Sequence, residues 1–246
     1  MQSPEGEETI ERTVQFEEIE IPLLEPVHGL DVVKGTLGVP EWWPTGSRIS
    51  VVIAQGSMAQ DPLLDAVQLA LTERKYLTLR FPMPYMVAGK RKPDEMKVMT
   101  RTYEAAIAVL GKDPSSAPAH VFAGGKNMGA LVASHASISR LRVEGIFFLG
   151  FPLHKQDDPG DVHPERLYRI VNPMLFVQGS RDRRCDLPTL RQTLGRVGAP
   201  VNLHVVQDAD HALKVPKKSG RSADEVAHEV LATLEGWIQR TLGDAP

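Results

Sequence analysis

The sequence predicts an α/β fold, a mostly parallel twisted sheet with helices on both faces, and three observations predict it. Short, nearly continuous apolar runs recur along the chain, such as Ile49-Ser50-Val51-Val52-Ile53-Ala54 and Val143-Glu144-Gly145-Ile146-Phe147-Phe148-Leu149, and such runs suit strands buried on both faces. Segments with helical spacing fill the gaps between them, which is the alternation of an α/β sheet. The length of 246 residues, with 42% hydrophobic and 24% charged residues, suits one globular domain of this class.

The elements follow in order. Residues 1–12 read as a flexible acidic head, because Glu5, Glu7, Glu8 and Glu11 crowd a stretch with almost no apolar residues. Residues 13–246 read as one domain. Thr13 to Leu24 alternates around Val14, Phe16, Ile19 and Ile21, and Leu30 to Val39 alternates less well. Together they predict an antiparallel N-terminal pair joined near Pro26 to Gly29. Parallel strands are expected at 49–54, 76–81, 120–123, 143–149, 173–177 and 201–206. Asp61-Pro62 offers a helix cap followed by proline at the first helical position, with Leu63, Leu64, Val67 and Leu71 on one face. Tyr103, Ile107 and Leu110 mark a helix that Gly111 closes. Ser222-Ala223-Asp224-Glu225 is a capping box, and Val226, Val230, Leu234, Trp237, Ile238 and Leu242 space out the buried face of the last helix.

Composition narrows the function classes. A net charge of −3 gives no global reason to expect nucleic acid or an anionic membrane as partner. The acidic start does not read as a secretory signal, and no run is long and apolar enough to predict a membrane span. One cysteine, Cys185, excludes an internal disulfide and favours a reducing compartment, so the expected location is the cytoplasm.

In a parallel sheet, ligands bind beyond the C-terminal ends of the strands, so the loops there carry the functional reading. One stands out: the strand ending at Ala123 runs into Gly124-Gly125-Lys126-Asn127-Met128-Gly129-Ala130, and a helix of small residues follows. Residues 125–129 fit Gly-x-nucleophile-x-Gly, the sharp strand-to-helix turn of α/β-hydrolases. The central residue of such a turn is strained, with its side chain at the top of the sheet, and the neighbours must lack bulk. The next strand but one ends in Phe176-Val177-Gln178-Gly179-Ser180-Arg181-Asp182, which places Asp182 as the acid. The last strand ends in Gln207-Asp208-Ala209-Asp210-His211, which places His211 as the base. Nucleophile, acid, histidine is the chain order of that fold. Asp208 and Asp210 are the first alternatives to Asp182.

These strings resemble the dienelactone-hydrolase-like branch of the α/β-hydrolases that contains the testis-expressed and NSL-complex-subunit proteins. The resemblance spans roughly residues 30 to 240. It rests on Gly124 to Ala130, on Phe151-Pro152-Leu153-His154, on Phe176 to Asp182, and on Ala209-Asp210-His211-Ala212-Leu213-Lys214-Val215-Pro216. It implies the α/β-hydrolase fold, hydrolysis of carboxylic esters or lactones without a cofactor, and an oxyanion hole made by the amide of Met128 with that of Gly56 or Ser57.

The chain departs from the family pattern where chemistry would occur. Asn127 stands in place of the serine nucleophile, and Gln55-Gly56 in place of His-Gly in the oxyanion loop. Ala130 and Ala212 replace residues more usual at those positions. An amide nitrogen, its lone pair delocalised, cannot serve as the acyl acceptor; loss of a catalytic serine costs on the order of a millionfold in turnover. Asparagine is among the few residues beside glycine that tolerate positive φ, so the turn can outlive the chemistry. The expectation is a pseudohydrolase that binds a small ligand or a protein partner. The alternative is an ester or lactone hydrolase in which Asp182 and His211 activate water and Asn127 donates to the oxyanion.

Other signals divide. A Walker A loop is excluded because His120 and Asn127 stand where glycine and Ser/Thr are needed. The dinucleotide glycine fingerprint is absent. His228-Glu229 begins a zincin string, but Ala232 replaces its second histidine, so no metal is expected. Lys90-Arg91-Lys92, Lys126, Lys155, Arg181, Arg183, Arg184, Lys214, Lys217 and Lys218 all follow strand ends. They read first as solvated loop charge, and second as an electropositive cleft for a small anion, with Gln55, Lys126, His154 and Arg181 as ligand contacts. His154 is equally a loop anchor, and Cys185 a loop cysteine off the elbow.

Overall fold

The computed structural model describes residues 14–57, 60–139, 141–156, 158 and 160–243. The acidic head expected at 1–12, and Thr13, lie outside the described residues. Chain alternation gives β1 (Gln15–Val27), β2 (Leu30–Val39), β3 (Ile49–Ala54), α1 (Pro62–Glu73), β4 (Leu77–Phe81) and α2 (Pro84–Val87). Then come α3 (Met96–Leu110), β5 (His120–Lys126), α4 (Met128–Ala136), β6 (Gly145–Leu149), β7 (Met174–Gly179), α5 (Leu187–Leu194), β8 (Val201–Val206) and α6 (Ala223–Leu242). The strands form an eight-stranded sheet in the order β1-β2-β4-β3-β5-β6-β7-β8. β1 and β2 pair antiparallel, β2 meets β4 antiparallel, and the remaining pairings are parallel.

The strands' apolar runs have one cause. In β6, Ile146 and Phe148 pack into one core cluster while Phe147 and Leu149 pack into the other. Alternate side chains of a strand point to opposite faces, so a strand covered on both sides must be apolar throughout. β7 divides in the same way, with Met174 and Phe176 on one side and Leu175 and Val177 on the other. On the α1 and α6 side, Trp237 meets Phe122 edge-on at 5.4 Å. Each such ring, fully buried, contributes about 1.5–3 kcal/mol.

The caps act as read. The Asp61 carboxylate accepts from Leu64 N at 3.4 Å, with Pro62 at the start of α1. Ser222 and Glu225 form a reciprocal capping box on α6, and Gly243 ends that helix at φ 86°. Among the boundaries that differ from expectation, two shape the turns that follow them. β1 runs on to Val27, and the turn falls at His28-Gly29, both at positive φ. β5 continues three residues past Ala123, to Lys126, paired with β3 and β6. Its Gly-Gly reads as loop in sequence, yet Gly124 is a strand residue paired with Ile53 and Phe147, and it is glycine because an added Cβ would lie closer than 3.0 Å to the carbonyl oxygen and ring of Phe147.

Candidate active site

Asn127 joins β5 to α4 at φ 52° and ψ −112°, outside the left-handed helical region and costly for any residue with a side chain. Its backbone is fixed at both ends: its N–H donates to Leu149 O at 2.9 Å, and its carbonyl accepts from Leu131 N at 3.1 Å, opening α4. The surrounding glycines follow from the closeness of this turn. A Cβ at Gly129 would run into the Ala54 backbone, one at Gly125 into Gly129, and one at Gly56 into the Lys126 carbonyl, each closer than 3.0 Å. The side-chain carbonyl oxygen of Asn127 is buried without a hydrogen-bond partner among the described residues, which leaves the amide NH2 as the group that Asn127 can offer.

Asp182 follows β7, and its carboxylate is wholly buried, while His211 is about one-fifth exposed. His211 Nδ1 donates to Asp182 Oδ2 at 2.8 Å, and Arg184 N donates to Oδ1 at 2.7 Å. Gln178 Nε2 also donates to Oδ2, while its Oε1 accepts from Phe151 N at 2.9 Å. Gln178 thus locks the carboxylate and was missed in the sequence. The signal was there: a polar residue that ends an otherwise apolar strand. Neither Asp208 nor Asp210 takes the histidine. Asp210 instead shapes its loop, with Oδ1 accepting from Ala212 N at 2.8 Å and Lys214 N at 2.9 Å. With Nδ1 engaged by Asp182, Nε2 is the ring nitrogen left to act, and among the described residues it has no hydrogen-bond partner.

A cleft of about 610 Å³ brings Asn127, Met128, Gly56 and His211 together. Gln55 and Ser57 do not line it, and the Gln55 amide is spent on Phe81 O at 2.9 Å. Of the two residues expected to supply a second oxyanion amide, Gly56 is the one at the cleft.

The cleft is basic, but Lys126 and Arg181, the two bases expected as ligand contacts, do not line it. Lys126 faces the other way: its ammonium is 2% exposed and paired with both Asp61 oxygens, at 2.8 and 2.6 Å. It precedes the turn, so strand alternation sends it toward α1 rather than into the cleft. Burial pushes its pKa below the usual lysine value against the pull of Asp61. Arg181 is exposed and does not line the cleft either; its amide holds Ala209 O at 2.8 Å. His154 does line it, but both its nitrogens are used: Nδ1 donates to Lys155 O at 2.6 Å, and Nε2 accepts from Asp186 N at 2.8 Å. It anchors a loop rather than offering a free ligand contact.

The charge comes from Arg91, Arg184 and Lys155, all three among the bases read after strand ends, and from Arg166, which that reading did not include; Asp161 pairs Lys155 at 2.9 Å. Among the described residues these three arginines make no ion pair with a carboxylate. Arg166 comes from a 3-10 turn, Pro164–Arg169. It donates to the neutral Nε2 of His135 at 2.8 Å and to His163 O at 3.1 Å, and its Nε is buried without a partner. Burial and the neighbouring Arg166 push His135 below the usual histidine value, which keeps it an acceptor. Cys185 is buried, and burial drives its thiol above the ordinary cysteine range, so it supplies no nucleophile. Among the described residues no cluster of His, Cys, Asp and Glu is placed to hold a metal, and no helix is long and apolar enough to cross a membrane.

Residues 47–239 match the family model of the alpha/beta hydrolase domain. Solved structures share the fold at low identity. A dienelactone hydrolase from Anabaena variabilis superposes with a TM-score of 0.67 at 19% identity, over 91% of this chain and 98% of its own. A Pyrococcus furiosus esterase gives 0.68 at 19% identity, over 92% of each chain. An alpha-beta serine hydrolase homologue from Coxiella burnetii gives 0.67 at 16% identity, over 89% of this chain and 97% of its own.

Proposed function

The chain belongs to the alpha/beta hydrolase domain family, and on that premise we propose that it is a pseudohydrolase: a hydrolase scaffold, without a nucleophile, that binds a small anion. The observation that carries this reading is Asn127, which holds the strained backbone of the elbow while its side chain has no group able to attack a carbonyl. Acyl transfer requires an oxygen or sulfur that a base can deprotonate, and the neighbouring Cys185 thiol is buried and held protonated. The scaffold around Asn127 is kept, while the chemistry at its centre is gone. The four motifs shared with the testis-expressed and NSL-complex-subunit branch ally the chain with that branch in particular. Its single cysteine suits a reducing compartment, and we place it in the cytoplasm.

The ligand class follows from charge. Arg91, Arg166 and Arg184 converge on the cleft without carboxylate partners, and a guanidinium is a fork that matches a carboxylate or phosphate. Phosphate and succinate should bind at low ionic strength and weaken as salt rises. Arg166→Ala should reduce that affinity at least tenfold, since a charged hydrogen bond is worth about 1.5–3 kcal/mol. Arg181→Ala, outside the cleft, should leave it unchanged. Calorimetric titration reads both. Equal loss in the two variants, or no binding by the unmodified chain, refutes an anion site in the cleft.

One observation favours a second reading. The Asp182–His211 pair is intact, with Nε2 free of hydrogen-bond partners among the described residues, and a free imidazole can serve as general base to water. Asn127 would then donate its amide to the oxyanion. This reading requires ester or lactone turnover by the unmodified chain that disappears in His211→Ala.

A further inference from the structure

A second cavity, of about 370 Å³, lies on the α1 and α6 side of the sheet, between the first turns of those helices and the loop 212–217. Its wall is largely apolar: Leu63 and Ala66 from α1, Leu213 and Val215 from the loop, Val226 and Ala227 from α6. Val226 and Leu213 are 2% and 3% exposed, so they form a packed wall rather than a loose surface.

The charges around it sort into spent and unspent. Lys126 is neutralised by Asp61, and Arg221 is paired with Glu229. Lys214 and Lys217 line the cavity, stand on the exposed side of the loop, and have no side-chain ion pair among the described residues. Asp224 also lines it, one carboxylate against two unspent ammoniums. An apolar pocket with a positive rim fits a ligand that has one apolar end and one anionic end.

We propose that this cavity is a second ligand site, for a medium-chain aliphatic carboxylate, with the chain against Leu63, Ala66 and Val215 and the carboxylate between Lys214 and Lys217. The apolar tail exchanges water for the wall of the cavity, and the head stays at the wet rim, where a charge need not be desolvated. An amine of the same length would meet two like charges. Lys214 is also one of the charges that depress the buried Lys126 ammonium, so a carboxylate arriving there relieves a repulsion within the protein. The site bears on the cleft through a short, strained link. Leu213 is held at φ 60°, and it lies two residues from His211, so the loop that forms one wall of the cavity also carries the base.

The site does not depend on what Asn127 does. Calorimetry at low ionic strength with octanoate, octylamine and octan-1-ol tests it. With the cleft filled by phosphate, octanoate should bind one equivalent, and octylamine at least tenfold more weakly. Lys214→Glu with Lys217→Glu, both surface changes, should reduce octanoate affinity at least tenfold, and Ala66→Phe should remove binding by filling the cavity. Arg166→Ala, on the cleft, should leave octanoate binding unchanged, which separates this site from the proposed anion site. Equal binding of octanoate and octylamine, octanoate binding indifferent to the two lysines, or loss of octanoate binding in Arg166→Ala would each overturn the proposal.

Discussion

Asn127→Ser should turn a chain inert to fluorophosphonates into one that labels stoichiometrically. The elbow already holds position 127 at φ 52° and ψ −112°, and His211 is already oriented by Asp182 at 2.8 Å. The substitution therefore adds the missing hydroxyl to a prepared frame, and the base that would take its proton lines the same cleft. Since loss of a catalytic serine costs on the order of a millionfold, even partial recovery would stand far above background. His211→Ala in the same chain should abolish the labelling. Ester turnover should recover less than labelling, because labelling needs only the attack by the serine, while turnover also needs water to cleave the acyl-enzyme.

Gly129→Ala should destabilise the fold severely. The added methyl would lie inside van der Waals contact with the Ala54 carbonyl and the Gln55 carbonyl, both backbone atoms. Neither can rotate away, so α4 would have to lift off β3. Overpacking typically costs about 1–3 kcal/mol and more when backbone must move; here the upper end or beyond is expected. Gly111→Ala provides the control. It sits at φ −97°, and the nearest atom to its added methyl is Ala108 O at 3.7 Å, so its stability should stay within about 0.5 kcal/mol of the parent. Denaturant unfolding of the two variants checks the contrast. Equal midpoints would mean that the elbow is not packed as described.

Much of the fold was legible because double-sided burial leaves a plain trace. β3, β6 and β7 announce themselves as apolar runs, and α1 and α6 announce their starts through Asp61 and Ser222. The end of β5 was hidden, because Gly124 and Gly125 look like loop residues until Phe147 and Gly129 are packed against them. α2 is too short for any period to show. In the cleft, the positions of Asn127, Asp182 and His211 could be read from loops that follow strands, since the topology alone brings those loops to one edge. The charges could be read only in part: Arg91, Lys155 and Arg184 stand among the bases after strand ends and do line the cleft, while Lys126 and Arg181 do not. Which way a loop base points depends on local geometry: Lys126 turns toward α1 by strand alternation, while Arg166 reaches the cleft from a turn that carries no motif. Gln178 shows the same limit, as its role depends on Phe151 N and Asp182 meeting across two loops.

Asn127 cannot act as a nucleophile, and turnover by the unmodified chain tests this most directly. The measurement is steady-state hydrolysis of short activated esters and lactones by the purified protein, with His211→Ala alongside and a fluorophosphonate in a parallel sample. No labelling is expected, and rates should match those of His211→Ala across the panel. Turnover by the unmodified chain that His211→Ala removes would contradict this and, in the absence of labelling, would establish Asp182 and His211 as a water-activating pair.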